Sequence, residues 1–495
     1  MKKEYFKNNW RKLDNVAKIF SIANKHNVNT FRYSVVLKQD VNKNILKKAL
    51  IKSLESFKSF KVKIGTGLFW NYLEYNSKEP IVTKEDDIPC QHIKFKRNNN
   101  YLFKVTYYKN KINLDIFHVL TDGVGASKFL KSIVYNYINL KYKLKSKENI
   151  KNDKISYQDQ YLKNYDKDIK FKTDFKLAYQ IPGKVIANTN NTYHYTVDVL
   201  KIKDVCKKYG VTITEYLTAV YVYSMYVSLY KKKNKKDIAI TIPIDLRRHY
   251  QVETLSNFFV CANIDAGIVK YNLKSFKDVL SQIHNEFSLK INKEKFEEYL
   301  TRDVIIGKNI FVRTVPLFLK KIAIRLVLGI ANMTSTSTLS NVGIIDIENK
   351  YKKYIDNVFV LVMPNNNEKI KCTVCSFNDK LNITREEALK IAACFGGGMW
   401  HGETCGCVVG ALIALGMKYA TTEANDQEKK DNLLKIKAEF EDKFCMKNGS
   451  CICKEILGYN LSVPEEMAKI QEENLLATKC PKVVLSTCEI LDEMI

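Results

Sequence analysis

The cysteines of this chain are concentrated near one end, and the net charge changes sign at the same place. From Arg385 onward the sequence has 13 basic and 18 acidic residues, a balance of −5, whereas the first 384 residues have 67 and 35, a balance of +32. Segments so different in composition build different domains, so we predict a boundary between residues 384 and 385. Eight of the 13 cysteines follow this boundary: Cys394, Cys405, Cys407, Cys445, Cys451, Cys453, Cys480 and Cys488.

The length and the apolar content indicate a folded protein of several domains. The 495 residues, 46% of them apolar, provide two to four domains with substantial cores. The first residues lack the apolar stretch of a secretion signal, and the longest apolar runs, 322–333 and 405–417, are too short to span a bilayer. We therefore expect a cytoplasmic protein with reduced thiols, in which a cysteine cluster binds metal or has redox activity.

The net charge of +27 raises the question of nucleic-acid binding. The lysines are spread through the whole first region, and no nucleic-acid-binding motif accompanies them, so this class of partner is not expected. The charge instead favours attraction of a polyanionic small substrate, such as a nucleotide-bearing thioester.

Strand and helix patterns alternate in the first region. Periodicity predicts strands at 31–37, 101–107, 112–117, 193–199 and 238–244, and helices at 44–57, 126–138 and after a cap at Thr212 or Thr214. A lysine-rich, aperiodic segment at 141–183 indicates a crossover between two similar α/β lobes.

The region after residue 384 has a helical pattern throughout. Thr384 and Glu387 form a capping box, 405–417 reads as an apolar helix, and Ser462 is placed to cap a further helix. A small bundle with cysteines near helix ends is therefore predicted.

The sequence HVLTDG places a histidine four residues before an aspartate and a glycine, between a predicted strand and a predicted helix. A loop at the end of a strand is a common position for catalytic groups. The His118 imidazole can accept a proton from an alcohol, thiol or amine near neutral pH, while Asp122 and Gly123 shape the loop. The alternative is a structural histidine that bonds a carbonyl.

With two further segments, PIDLRRHYQVETLSNFF at 243–259 and TSTSTLSNVG at 334–343, this motif resembles the alcohol acetyltransferase family. The resemblance extends to the chloramphenicol acetyltransferase and condensation-domain superfamily. It implies an α/β fold with mixed sheets in two chloramphenicol-acetyltransferase-like lobes, at 1–150 and 186–384, joined by a crossover at 151–185. A tunnel between the lobes would admit acetyl-CoA or another acyl-CoA from one side and the acceptor from the other.

The same resemblance implies the roles of individual residues. His118 is the general base, and Asp122 forms a salt bridge with Arg247. Ser340 or Asn341 helps to hold the oxyanion, although a polar turn explains these two residues equally well. The acceptor is a small-molecule alcohol, with a thiol or an amine as alternatives.

Two departures narrow the resemblance. Phe117 stands where condensation domains usually have a second histidine, which disfavours amide formation on carrier-bound peptides. The DFGWG motif of plant acyltransferases is absent from the sequence as well.

Residues 385–495 resemble the redox-active family named for its C-GCAxxG-C-C pattern, through FGGGMWHGETCGCVVG, NGSCICKEILG and TKCPKVV. The resemblance implies an all-α domain. Cys405, Cys453 and Cys480 lie at the ends of predicted helices, where three thiols can converge on a metal or an iron–sulfur cluster, or cycle between dithiol and disulfide. Cys394 is the fourth candidate, with Cys372 and Cys375 as substitutes. A redox partner protein would follow from this role, whereas the alternative is that the cysteines simply fill a helical core.

The sequence thus supports two functions of different classes. The leading hypothesis is an acyl-CoA-dependent O-acyltransferase that uses His118 as a base. The rival is a redox or iron–sulfur protein whose transferase-like region only binds a ligand, and an inactive transferase scaffold is a third option, disfavoured by the intact HxxxDG motif.

Overall fold

The computed structural model describes residues 10–22, 28–144, 158–171, 175–183, 191–230, 235–308, 313–365, 368–377, 385–421 and 426–494. The chain divides into two compact units, 1–377 and 378–495. The division falls shortly before the boundary predicted at 384, and Thr384 of the predicted capping box lies outside the described residues.

Three sheets and the helices beside them make up the first unit. The strands are β1 Trp10–Lys12, β2 Thr30–Leu37, β3 Val62–Thr66, β4 Asn71–Tyr75, β5 Val82–Lys84, β6 Phe103–Tyr108, β7 Lys111–Phe117, β8 Ala239–Asp245, β9 Phe259–Asp265, β10 Ser337–Ile345, β11 Ile355–Val362 and β12 Lys371–Phe377. The helices are α1 Asn15–Phe20, α2 Lys43–Ser56, α3 Gly123–Tyr142, α4 Gln160–Asn164, α5 Val199–Tyr209, α6 Ile213–Leu229, α7 Arg247–Tyr250, α8 Phe276–Lys290, α9 Lys293–Lys308, α10 Leu317–Ala331 and α11 Asn349–Lys352.

The two larger sheets correspond to the two halves of the unit. One has the strand order β11-β2-β7-β6-β5 and the other β12-β10-β8-β9, while β1-β4-β3 forms a small third sheet. Parallel and antiparallel pairs occur in both large sheets. The predicted hairpin is confirmed, because β6 and β7 pair antiparallel with Val105 opposite Leu114. The mixed α/β fold class is therefore confirmed for this unit.

One strand crosses between the halves. β11 comes from the C-terminal half of the unit, yet it pairs antiparallel with β2 of the N-terminal half, with Val358 opposite Val35. This pairing joins positions more than three hundred residues apart, so no local sequence pattern predicts it. It closes the edge of β2 and ties the two halves together.

The prediction of a strand at 193–199 is wrong. The segment is not part of any sheet in the described chain, and α5 begins at Val199. Tyr193, Tyr195 and Val197 alternate as in a strand, but they are 75%, 85% and 62% exposed. Alternation indicates a strand only where a neighbouring strand and a core are available to use it. By contrast, the predicted cap at Thr212 is confirmed as a capping box with Glu215.

The second unit is helical in the residues described, as predicted. Its α-helices are α12 Arg385–Ala392, α13 Gly406–Tyr419, α14 Gln427–Asn448, α15 Cys453–Leu457, α16 Pro464–Glu472, α17 Leu475–Thr478 and α18 Cys480–Met494. Phe440 and Phe444 of α14 are fully buried in a core shared with Val408 and Ile490. Ser462 does not cap α16, because its hydroxyl bonds Asn460 instead.

None of the helices within the described ranges combines the length and the apolar character needed to cross a bilayer.

Candidate functional site

His118 lies immediately after β7, in the loop that leads into α3. Its backbone N–H donates to the carbonyl of Asn29, which fixes the loop against the start of β2. Four residues later Asp122 caps α3, and one of its oxygens accepts the backbone N–H groups of Val124 and Gly125 at 3.1 and 3.3 Å. The histidine is therefore held between the end of a strand and a capped helix.

Asn257 sets the protonation pattern of the His118 ring. His118 Nδ1 lies 3.1 Å from Asn257 Oδ1, and Asn257 Nδ2 donates to the His118 carbonyl and to a carboxylate oxygen of Asp14, each at 3.1 Å. Because Nδ2 points at acceptors, Oδ1 faces the ring, and an amide oxygen can only accept. Nδ1 must therefore carry the proton, which leaves Nε2 with a lone pair that can accept one.

Three aromatic rings surround the imidazole. The ring centroids of Phe20, Phe31 and Phe259 lie 4.4, 4.8 and 5.6 Å from that of His118. Burial among these rings lowers the pKa of His118 below its ordinary value of 6.5. The side chain nevertheless remains partly accessible, so a neutral imidazole is available to a substrate at neutral pH.

Asp122 and Arg247 form a buried ion pair. Arg247 Nη2 donates to both carboxylate oxygens of Asp122, at 2.9 and 2.8 Å, and the two side chains are only 7–8% exposed. Nη1 of the same guanidinium donates to Asp245 at 2.6 Å. Asp122 is bonded to Arg247 and to backbone N–H groups, and its charge partly offsets the lowering of the His118 pKa by burial.

The ion pair holds the segment that carries Asn257. Arg247 Nε donates to the Thr254 carbonyl at 3.0 Å and Nη2 to the Ser256 carbonyl at 2.8 Å. Asp122 Oδ2 in turn accepts the backbone N–H of Phe258 at 2.9 Å. Asn257 is thus fixed on both sides, and its amide is presented to His118.

Gly123 marks a close approach between the motif and β10. A Cβ at this position would lie 3.0 Å from Tyr33 Oη and 3.2 Å from Val342 Cγ1. The SNVG segment predicted to contribute to the site therefore lies next to the HxxxDG loop. A glycine allows the two segments to approach this closely.

Ser340 and Asn341 differ in whether their side chains are free to bond a substrate. Asn341 Nδ2 donates to Thr214 Oγ1 at 3.0 Å, and Oδ1 accepts the N–H of Gly343 at 2.9 Å, so the amide is already engaged. The neighbouring Leu339 packs into the core of the C-terminal half. Because successive side chains of a strand alternate, Ser340 points away from that core.

Sequence reasoning missed two contributors to the site, Asp14 and Phe20. Asp14 caps α1 through the N–H of Ala17 at 2.7 Å, and α1 ends at Phe20, the ring nearest to His118. Burial raises the pKa of Asp14 to about 7. Neither residue belongs to a recognisable motif, and only a cap signal at Asp14 could have indicated the helix.

Cys405 is the distinctive group of the second unit. It immediately precedes α13, and its backbone N–H donates to the Cys451 carbonyl at 2.9 Å. A hydrogen bond from the Cys407 thiol, together with the backbone N–H groups of Cys407 and Val408, lowers the pKa of Cys405 to about 6. The hydrogen bonds that lower this pKa favour the thiolate form of Cys405, which is the form that reacts with electrophiles and disulfides.

The other predicted thiols differ from Cys405 in their electrostatics. Burial, together with the charges of Cys405 and Cys480, raises the pKa of Cys453 to about 11. Burial, followed by the charge of Cys405, also raises the pKa of Cys480. Cys405 is thus close enough for its charge to act on both Cys453 and Cys480.

The candidates for the fourth thiol lie in different surroundings from the other three. Cys394 is exposed beyond α12. Cys372 and Cys375 lie on β12 of the first unit, where Cys372 stands opposite Leu339 of β10. The two substitutes therefore belong to a sheet outside the compact unit of Cys405.

Over the parts of the chain that the structure describes, no group of three or more His, Cys, Asp or Glu side chains is arranged to hold a metal. The four-thiol site predicted from the sequence is therefore not assembled there. Thiol–disulfide chemistry at Cys405 needs no such arrangement.

Comparison with solved structures supports the fold of the first unit. TRI101 from Fusarium sporotrichioides, solved with coenzyme A and T-2, aligns with a TM-score of 0.50 at 9% identity, over 72% of this chain and 90% of that one. TRI3 trichothecene 15-O-acetyltransferase from the same organism aligns with 0.47 at 12% identity, over 77% and 92%. The starter condensation domain of rhizomide synthetase gives 0.47 at 11%, over 74% and 86%.

Comparison with protein families identifies the second unit. Residues 370–494 match the family model described as "Putative redox-active protein (C_GCAxxG_C_C)". No sequence among the curated proteins matches the chain. The chain thus combines a fold similar to that of TRI101 with a region, residues 370–494, that matches the C_GCAxxG_C_C family model.

Proposed function

We propose that this protein is an acyl-CoA-dependent O-acyltransferase in which His118 is the general base. The observation that carries the proposal is the bond between His118 Nδ1 and Asn257 Oδ1, because it leaves Nε2 unprotonated in a partly accessible ring. The lowered pKa of His118 keeps that ring neutral at physiological pH. The shared fold with TRI101, which was solved with coenzyme A, makes a coenzyme A thioester the natural donor.

The reaction balances with this single base. Nε2 of His118 accepts the proton of the acceptor hydroxyl while the oxygen attacks the thioester carbonyl carbon. The tetrahedral intermediate then collapses, the carbon–sulfur bond breaks, and the proton held on His118 passes to the departing thiolate. An ester and free coenzyme A result, and the base returns to its starting state.

We further propose Ser340 as the side chain that stabilises the oxyanion. Its strand position turns it away from the core of the C-terminal half, and Val342, two residues along the strand, lies beside Gly123 in the histidine loop. Asn341 is less suited, because both ends of its amide are bonded to other groups. One such donor is worth about 2.7–4 kcal/mol of transition-state stabilisation.

The experiment combines a donor with a panel of acceptors. Purified protein is incubated with acetyl-CoA or octanoyl-CoA and with primary alcohols, thiols and amines, and products are identified by mass spectrometry while free coenzyme A is measured with a thiol reagent. Ester formed in step with coenzyme A release supports the proposal and identifies the acceptor class. Release of coenzyme A without an acylated acceptor, or no release with any acceptor, contradicts it.

A second candidate function, a thiol-based redox activity, rests on Cys405. Its pKa of about 6, beside the protonated thiols of Cys453 and Cys480, gives one nucleophile and two groups that can resolve a mixed disulfide. Brief treatment with iodoacetamide at pH 7 should label Cys405 before Cys453. Equal labelling rates at the two positions would remove the basis for this activity.

A further inference from the structure

A second pair of thiols lies outside the group around Cys405. The sulfur atoms of Cys445 and Cys451 are 2.7 Å apart. Cys445 lies in the last turn of α14, and the chain reverses at Gly449, whose φ of 86° is a left-handed conformation favoured by glycine. The N–H of Gly449 closes this turn on the Cys445 carbonyl at 2.8 Å.

We propose that Cys445 and Cys451 form a reversible disulfide by exchange with a low-molecular-weight disulfide such as oxidised glutathione. The sulfurs need to approach by less than 1 Å to reach the bond length of about 2.05 Å. The backbone turn that holds them is already closed, so bond formation requires little rearrangement of the chain. This site is independent of the proposed acyl transfer.

The exchange follows from the different environments of the two thiols. Burial, together with the hydrogen bond from Cys445, raises the pKa of Cys451 to about 12, so Cys451 retains its proton. Cys445 attacks one sulfur of oxidised glutathione and releases one glutathione. Cys451 then gives up its proton and attacks Cys445, which releases the second, so two thiols are oxidised and one disulfide is reduced.

The disulfide would affect the neighbourhood of Cys405. The carbonyl of Cys451 accepts the backbone N–H of Cys405, and the adjoining Ile452 forms a bridge with Thr404. Oxidation therefore fastens the end of α14 to the segment that holds Cys405. The reduced state leaves that attachment to hydrogen bonds alone.

The test uses the full-length protein in buffers of varied reduced-to-oxidised glutathione ratio. Remaining thiols are blocked with N-ethylmaleimide, and peptides are mapped without reduction. We expect a 445–451 cross-link that is lost in Cys451→Ser and kept in Cys488→Ser, an exposed cysteine that serves as the matched control. Blocking of both thiols at every ratio, or a cross-link that joins Cys445 or Cys451 to another cysteine instead, would overturn the proposal.

The first unit carries a separate feature, an apolar patch formed by α10 and the turn between β3 and β4. Its members are large apolar side chains between 42% and 70% exposed: Leu68, Phe69, Phe318, Leu319, Ile322, Leu326, Val327 and Ile330. The opposite side of α10 is anchored, because the N–H of Leu317 donates to the Leu68 carbonyl at 2.8 Å and Lys320 Nζ donates to that of Phe69 at 3.0 Å. The helix is therefore held with its apolar side outward.

The charged residues of α10 and its flanking segments are of one sign. The sequence has no acidic residue between Asp303 and Asp346, whereas it has five basic ones there, three of them, Lys320, Lys321 and Arg325, on α10. An apolar helix whose own charged residues are all cations complements an anionic lipid surface, where the apolar side chains enter the acyl region and the cations meet the headgroups. A protein partner whose surface carries both charges would not complement these cations in the same way.

We infer that the apolar patch docks on an anionic membrane surface. The patch is connected to the candidate site through the segment that follows α1. Arg325 Nη2 of α10 donates to the Ile22 carbonyl at 3.4 Å, and Phe20, two residues before Ile22, packs on His118. The contact is peripheral, because α10 has 15 residues and a bilayer span needs about 20. The inference concerns membrane binding and does not require the proposed catalysis.

Sedimentation with vesicles tests this surface. We expect the full chain to pellet with phosphatidylcholine vesicles containing phosphatidylglycerol and far less with phosphatidylcholine alone. The double variant Ile322→Glu/Leu326→Glu should weaken binding about tenfold or more, since both apolar contact and charge are lost. The control Leu289→Glu changes a side chain of similar exposure, 64%, on α8 and should bind as the wild type does.

Two results would overturn the membrane surface. One is the absence of binding to the anionic vesicles, or binding that the double variant leaves unchanged. The other is a dimer in light scattering that the double variant dissociates, because the patch would then be covered by a second copy of the chain.

Discussion

Asn257 reaches His118 with both ends of its amide: Oδ1 lies 3.1 Å from the ring Nδ1, and Nδ2 donates to the backbone carbonyl of the same residue at 3.1 Å. One side chain thus fixes the orientation, the tautomer and the backbone of the histidine. Asn257 is in turn held by a segment that the Asp122–Arg247 pair anchors. The HxxxDG motif and the distant PIDLRR segment therefore act on one imidazole.

Replacement of Asn257 by Ala should reduce kcat by about 10²-fold with little change in KM, because the imidazole loses its fixed tautomer while the substrate contacts remain. The Asn257 bond also favours the protonated ring, so the pKa of His118 should fall further in the variant. Steady-state kinetics over a pH series measure both effects. A variant with unchanged kcat and an unchanged pH profile would show that Asn257 does not position the base.

The acidic limb of kcat/KM should lie below pH 6.5. The base works in its neutral form, and burial lowers the pKa of His118, so the neutral form persists to lower pH than in a free imidazole. Activity should thus fall only as pH drops through the lowered pKa. A limb centred above 6.5 would contradict the assigned environment of the ring.

Breaking the buried ion pair should destabilise the first unit. Arg247→Met leaves the Asp122 carboxylate buried without its cation, and a loss of about 3–5 kcal/mol is expected. Urea denaturation followed by tryptophan fluorescence measures this loss, because two of the three tryptophans, Trp10 and Trp70, lie in the first unit. The matched control is Arg248→Met, an exposed neighbour in the same short helix; equal stability of the two variants would deny the pair its structural role.

Gly125 should not tolerate a side chain. A Cβ there would meet Thr121 Oγ1 at 1.9 Å and the Leu255 carbonyl at 2.9 Å, so Gly125→Ala should cost about 1–3 kcal/mol. Gly329 on α10 has nothing within 4 Å of the same position, and Gly329→Ala should be neutral or slightly stabilising. Thermal unfolding of the two variants gives the comparison. A stable Gly125→Ala would mean that the histidine loop and the 254–258 segment are further apart.

The sequence predicted those parts of the structure that depend on local patterns. The β6–β7 hairpin alternates apolar and polar residues, and the capping box at Thr212 is a local signal, so both were found. The strand at 193–199 was predicted from alternation alone, and it is not formed because no neighbouring strand covers it. The pairing of β11 with β2 depends on a distant contact, for which one sequence gives no signal.

In the candidate site, too, some features were expected from the sequence and others depend on tertiary packing. The meeting of Asp122 with Arg247 was expected through the resemblance, not from spacing. Asp14 and Phe20 were missed because they act through α1, a short helix placed against the histidine by tertiary packing. In the second unit the clustering of cysteines was visible in the sequence, but only the fold separates Cys372 and Cys375 from Cys405.

The central claim is that His118 removes the acceptor proton, and the most direct test is acyl transfer by His118→Ala beside wild type. The control His284→Ala changes a half-exposed histidine that bonds Glu215. With both variants shown to be folded by circular dichroism, we expect a fall in kcat of about 10²-fold or more in His118→Ala and near-normal activity in His284→Ala. Acyl transfer at the wild-type rate in a folded His118→Ala protein would contradict it.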